Sequence, residues 1–305
     1  MAENEMIQDV LDNIDNHITD NINLSDLAKE NGYSTSHLGR LFSTATGLTL
    51  MAYVTRRKLQ YALYDIGCGE KILDVALKYG FETHAGFTKA CKKHFGYPPS
   101  IYRIHAIIGR PTQMDMVKLK NNMLGEIIME PVIMEIQPFT VVGFTNRHTI
   151  SDVRFTHDIP FYTETSGMNY WDPLIRLHNL FNTSRHTEYA ICFDVDSETG
   201  GFTYFLGVGV DNPEDYAKIE PDMFEMTVSG GLYAKFTTPL VEESQYGRAI
   251  ANIWKTAFDD WLPVSGYEFD ESRYDFEYYD ERDHFYKNED SYMQQMDIFI
   301  PVHKC

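Results

Sequence analysis

One pattern that occurs twice constrains this chain more than any other feature. A short apolar helix signal, a Gly-aromatic turn and a second helix signal run from Leu24 to Thr46, and the same order returns from Ile72 to Phe95. Gly32-Tyr33 and Gly80-Phe81 mark the two turns, 48 residues apart. In the first unit Ser25 reads as the N-cap of the short helix, and Gly32 as its stop, because glycine takes a left-handed φ without a Cβ clash. Ser34 then caps a helix over Thr35–Thr46, ended by Gly47. In the second unit Ile72–Tyr79 is the short helix, and Thr83 caps a helix that runs to Phe95, with Gly96 and Pro98-Pro99 behind it. Two short helices about a Gly turn are a helix-turn-helix. A longer helix begins at Thr49 and joins the units, with Tyr53, Val54, Ala62, Leu63 and Ile66 on its buried side and Arg56, Arg57 and Lys58 within it. Ahead of both, Ile7, Val10, Leu11, Ile14 and Ile18 recur at three- and four-residue spacing, one apolar helix face.

Charge separates this region from the rest. The 305 residues carry a net −19, but residues 31–110 hold eleven Lys/Arg against four Asp/Glu, a local +7. Residues 1–30 are at −7, and residues 111–305, with 14 basic and 33 acidic side chains, are at −19. A phosphate backbone is attracted to the first stretch and repelled by the last, so the C-terminal part has another task. No apolar run reaches the ~18 residues of a membrane helix, and the acidic start is unlike a signal peptide, so the expectation is a cytoplasmic chain with no membrane partner. Cys68, Cys91, Cys192 and Cys305 form no CxxC pair; reduced thiols are expected, with neither a zinc site nor a disulfide framework.

The C-terminal part reads as α+β. Val132–Arg147 reads as a strand pair or one bent strand, and Thr187–Val195 and Phe202–Val210 as a hairpin, with a helix over Asp172–Phe181. The order then repeats, with a strand over Phe224–Thr237, a helix over Glu242–Trp261, and strands over Arg273–Asp280 and Met293–Val302. Two βαββ halves with antiparallel sheet follow. Arg110–Glu130 reads as a linker with a short helix. The expected division is residues 1–108, a linker at 109–129, and residues 130–305.

Both parts carry a family resemblance. Gly80-Phe81, Thr88-Lys89, Lys92 and Phe95-Gly96-Tyr97-Pro98-Pro99-Ser100-Ile101-Tyr102-Arg103, with Ser34–Phe42 in the first unit, resemble the AraC/XylS transcription regulators over about residues 5–108. That resemblance implies double-stranded DNA as partner, with the second helix of each unit in successive major grooves. By position, Thr35, Ser36 and Arg40 read DNA from the first unit, and His84, Ala85, Thr88 and Lys89 from the second. Arg40 suits guanine O6 and N7, while Lys92, Lys93 and Arg56 suit phosphates. Ala85 and Gly86 leave the second reading helix poor in hydrogen-bonding side chains.

Phe202–Val208, Gly231–Phe236, Trp261–Tyr267, Asp275–Tyr279 and Ile300-Pro301-Val302 resemble the GyrI-like effector-binding domain of Rob-type and multidrug-sensing regulators. The resemblance implies a ligand cleft between the halves with a carboxylate in it, and assigns that carboxylate to Glu277. Strand alternation puts Asp275, Glu277 and Tyr279 on one face and Phe276 and Tyr278 on the other. Tyr279, Tyr233, Tyr204 and Trp171 are further candidates. A half-buried carboxylate among aromatic rings suits a cationic, apolar effector.

The leading expectation is therefore a transcription regulator, not an enzyme, without catalytic residues, cofactor or metal. Its effector changes the DNA-binding domain or its contact with RNA polymerase. Two helix-turn-helix units in one chain make a monomer on DNA feasible. The alternatives are a GyrI-like hydrolase using Glu277 with a Tyr, and a ligand-sequestering protein with an attached DNA-binding domain.

Overall fold

A computed structural model of the chain describes residues 2–105, 111, 130–148, 171–181, 187–196, 199–282, 286–288 and 291–305. By contacts, the described residues up to His94 form one compact unit; those from Phe95 to 105 and from 130 onward form the other. The linker expected over Arg110–Glu130 lies, but for its end residue and Pro111, outside the described residues.

The first unit is helical. α1 (Ala2–Asn16) buries its predicted stripe, with Ile7, Val10, Leu11 and Ile14 at 2% exposure or less. α2 (Leu24–Glu30) turns through Gly32 (φ +72°) into α3 (Thr35–Thr46), and Gly47 ends α3 in the left-handed region. Ser34 caps α3 as read from the sequence, its Oγ accepting from the His37 N–H. Ser25 does not cap α2. The cap is Asn23, whose Oδ1 accepts the Asp26 N–H at 2.9 Å, and this places Ser25 inside the first turn. Both types are good caps, so the local sequence left the choice to chain entry. α4 (Leu50–Gly67), capped by Thr49, buries all five apolar residues expected of it. α5 (Ile72–Lys78), the Gly80 turn (φ +84°) and α6 (His84–Phe95) repeat the first motif. Thr83 closes the start of α6, accepting the Gly86 N–H on Oγ1 at 3.0 Å.

The three consecutive cations of α4 part company. Arg56 is exposed. Arg57 is buried, its Nε and Nη2 donating to the two Asp15 oxygens at 2.8 and 2.7 Å, which ties α4 to α1. Lys58 Nζ donates to the Asp20 and Tyr79 carbonyls, closing loop ends around α4.

The second unit opens with α7 (Pro99–His105) and is then built on a sheet. Val132–Arg147, read as a strand pair or one bent strand, is a pair, β1 (Val132–Ile136) and β2 (Phe139–His148). α8 (Trp171–Phe181), β3 (Glu188–Phe193) and β4 (Phe202–Gly209) follow; β3 and β4 pair antiparallel, as expected. The predicted strand over Phe224–Thr237 also divides, into β5 (Phe224–Val228) and β6 (Gly231–Thr237), and α9 runs Glu243–Lys255 after a two-residue β7 (Val241–Glu242). The last strands are β8 (Tyr267–Phe269), β9 (Phe276–Tyr279), β10 (Tyr286–Asn288), β11 (Ser291–Gln294) and β12 (Asp297–Lys304). The strand expected at Arg273–Asp280 begins only at Phe276, and the one at Met293–Val302 is broken between β11 and β12.

The main sheet runs β1-β6-β12-β9-β3-β4-β2-β5, with β8 paired to β12. Each half contributes a three-strand core, β2-β4-β3 and β6-β12-β9, and the cores join at the β3–β9 seam. The leading strands are exchanged. β1 edges the second half against β6, and β5 edges the first half against β2. This is why each long strand signal divides: Gln137-Pro138 and Ser229-Gly230 carry the chain from one half's sheet to the other's. One sheet face holds the cluster Val141, Ile191, Phe205, Met226, Val228, Tyr233, Phe276 and Phe299.

Candidate functional site

In the first unit the second helix of each motif carries the sequence-expected DNA readers. Thr35, Ser36 and Arg40 are all exposed on α3, over a buried side made by Leu38 and Phe42. On α6, His84, Ala85, Lys89 and Lys93 are exposed while Phe87, Cys91 and Phe95 are buried. Among the described residues, Arg40, Lys89 and Lys93 have no acidic partner, so their charges face solvent uncompensated. Thr88 differs from its neighbours: it is half-buried, and its Oγ1 is occluded with no hydrogen-bond partner among the described residues. Lys92 is half-buried too. Burial pushes the Cys91 thiol far up, which keeps it a neutral core group.

In the second unit the geometry centres on Glu277, half-buried on β9 beside the β3–β9 seam. Cross-strand partners share a sheet face, so Glu277 lies with Ala190 of β3 and Ile298 of β12, and one rung away with Tyr279 and Glu188. Through Cys192, which pairs with Tyr204, the same face includes Tyr204. Both carboxylate oxygens of Glu277 accept hydrogen bonds. The Trp254 indole Nε1, from α9, donates to Oε1 at 2.8 Å, and the Tyr279 hydroxyl donates to Oε2 at 2.7 Å. Two donors hold the group in place. On the same face Glu188, 4% exposed, meets His178 Nε2 of α8 at 2.9 Å, so each flanking helix contacts one carboxylate of the seam. Burial, with the Glu277 and Asp275 charges nearby, pushes the Cys192 thiol well above its ordinary value.

The structure thus brings Glu277, Tyr279 and Tyr204 onto one face. Tyr233 is not with them. It lies on the opposite face, fully buried against Phe276, its hydroxyl donating to the Ser229 and Tyr274 carbonyls and its ring under Arg273 at 4.9 Å. Burial pushes its phenol up to about 12, which keeps it a neutral donor. The separation follows from alternation: Tyr233 is in register with Pro301, an odd step from Ile298, the partner of Glu277. The Trp171 side chain lies outside the described residues. Sequence reading missed Trp254. The signal available for it was the spacing of Trp254, Phe258 and Trp261, an aromatic stripe at helical steps.

The sequence matches two family profiles, the helix-turn-helix domain over residues 27–104 and the integron-associated effector binding protein family over residues 132–302. Regulatory protein SoxS of Escherichia coli K12 is 35% identical over 104 residues, which is 34% of this chain and 97% of that protein. The HTH-type transcriptional activator AarP of Providencia stuartii is 32% identical over 103 residues, 33% of this chain and 76% of AarP. The right origin-binding protein of E. coli K12 is 28% identical over 246 residues, 78% of this chain and 79% of its own length, and so spans both parts. With a relative 35% identical and covered over 97% of its length at one end, and a family match over more than half of the chain at the other, the chain belongs to the AraC-type DNA-binding transcription regulators and carries, C-terminal to that domain, a GyrI-like domain of the integron-associated effector binding protein family.

Proposed function

We propose that this regulator binds a small, apolar cation at Glu277 and changes its action on DNA in response. The observation that carries the reading is the setting of the Glu277 carboxylate, half-buried with both oxygens already accepting from Trp254 and Tyr279. A group so satisfied has little use for a ligand that must donate its own hydrogen bonds. It offers net charge and aromatic surroundings, which suit a cation with delocalised or shielded charge. Tyr204 completes the polar face of the site. The test is a titration of the full chain with tetraphenylphosphonium, a bulky cation with no hydrogen to donate. At 100 times its Kd the probe should stabilise the fold by about 2.7 kcal/mol. Glu277→Gln should lose that shift, and an equal shift in parent and variant would sink the assignment.

On the DNA side we assign reading to Thr35, Ser36 and Arg40 of α3 and to His84, Ala85 and Lys89 of α6, with Lys93 and Arg56 on phosphates. Thr88 and Lys92 take smaller parts, because both are half-buried. The Tyr279–Glu277 pair also resembles an acid–base pair, the arrangement a hydrolase would need. We read it as a binding device, since Tyr279 is 2% exposed and both Glu277 oxygens are engaged. Ester turnover by the parent that vanishes in Glu277→Gln would reverse that reading.

A further inference from the structure

Residues 95–105 continue directly from the second reading helix, yet by contacts they belong to the unit that holds Glu277. Their attachment is closely fitted. The Gly96 carbonyl accepts the Phe269 N–H at 2.9 Å. Gly96 itself is left-handed (φ +81°), and a Cβ there would meet Leu262 Cγ at 3.0 Å. Tyr97 is fully buried; its ring meets Phe258 edge-on at 4.9 Å and its hydroxyl donates to Asp259 at 3.4 Å. Phe95, the last residue of α6, stacks on Tyr97 at 5.9 Å. Phe258 in turn lies parallel to the Trp254 ring at 5.9 Å, one helical step later. Trp254 is the residue that donates to Glu277.

We propose that Trp254, Phe258 and Tyr97 form the link through which occupancy at Glu277 reaches the end of the reading helix α6, with Trp254 the positioning residue for both. The proposal rests on the reading of Glu277 as the effector site. A cation placed against Glu277 draws on the charge that the Trp254 N–H also binds, and a bond to a charged acceptor is about twice as strong as a neutral one, so the Trp254 bond weakens and the indole is freer to move. Trp254, Phe258, Tyr97 and Phe95 are each 5% exposed or less, and a close-packed row passes displacement along rather than absorbing it. Coupling also needs an element with two arrangements. The π-turn over Thr256–Trp261, which continues α9 and holds both Phe258 and Asp259, is where we place it. Such turns are rare, and a return to α-helical pairing would rotate the side chains that grip Tyr97.

The test is amide hydrogen exchange on the full chain, which needs neither ligand nor operator. Glu277→Gln weakens the Trp254 bond and should speed exchange of the 96–105 amides by about threefold or more, as local opening becomes easier. Trp254→Phe, which keeps the stack on Phe258 and removes the donor, should do the same, and the double variant should add nothing. Phe258→Leu should abolish the response to Glu277→Gln while leaving the Kd for tetraphenylphosphonium within about twofold, because the carboxylate is held by Trp254 and Tyr279, which the substitution leaves in place. Unchanged 96–105 amides in both Glu277→Gln and Trp254→Phe would overturn the link, as would a response that survives Phe258→Leu. Failure of the parent to bind tetraphenylphosphonium would sink the effector reading alone, with the exchange result still deciding the link.

Discussion

At the scale of single residues, neighbours in sequence have unrelated tasks. Arg57 shows it most clearly, since Arg56 beside it is exposed while Arg57 is 2% exposed and doubly bonded to Asp15. Removing one partner of a buried pair leaves an uncompensated charge. Arg57→Ala should therefore lower the stability of the chain by about 3–5 kcal/mol in urea unfolding, whereas Arg56→Ala should change it by less than about 0.5. On DNA the order reverses. Arg40→Ala should cost about 1–3 kcal/mol and relax base preference at one position, while Lys89→Ala should weaken all sequences alike and reduce the salt slope by about 1. Competition binding at two salt concentrations reads both. None of this division was legible in the run Arg56-Arg57-Lys58, because a partner 42 positions away decides which cation is buried. The Glu277 assignment was legible only through the family resemblance and the alternation around it; that alternation was also enough to separate Tyr233, had the register with β12 been known.

At the scale of elements, the helices and the β3–β4 hairpin were readable, while β5 and β6 were merged into one strand. Caps and Gly stops act over a few residues, so α3, α4 and α6 appear where Ser34, Thr49 and Thr83 put them. Strand breaks depend on partners distant in sequence, and the bends at Pro138 and Gly230 carry no local mark of which sheet edge comes next. The π-turn is the element with the most testable electrostatics. Burial pushes the Asp259 carboxyl up to about 6, against the charge of Lys255 and the Tyr97 hydrogen bond, which lower it; the Asp260 charge raises it further. A raised carboxyl binds its proton more tightly when folded, so its contribution to stability is complete below about pH 4 and is lost as pH rises through 6. Asp259→Asn carries no such loss. It should melt above the parent at pH 7.5, by about 1 kcal/mol once the side chain's partial exposure is allowed for, and the gap should close as the pH is lowered to 4.

At the scale of the whole molecule, the basic and acidic stretches of the sequence go with two different ways of building a core, helical in the first unit and sheet-based in the second. No helix among the described residues is long and apolar enough to cross a membrane. The exchanged edges mean that neither sheet half is complete. A fragment of residues 130–210 keeps β2, β3 and β4 but lacks β6 for β1, β5 for β2 and β9 for β3. Three unpaired edges should leave it unfolded or drive it to self-associate, which light scattering with circular dichroism would show; a folded monomer would refute the dependence. The exchange also has a historical reading. A half-length ancestor with this topology could have closed its edges only by pairing with a twin, each lending its first strand to the other. The β3–β9 seam would then have been the dyad of that pair, and every seam residue would have existed twice. Joining the copies in one chain would have released the two sides to differ, and the seam is unequal today: Ala190 stands opposite Glu277, a carboxylate on one side where symmetry would have placed one on each.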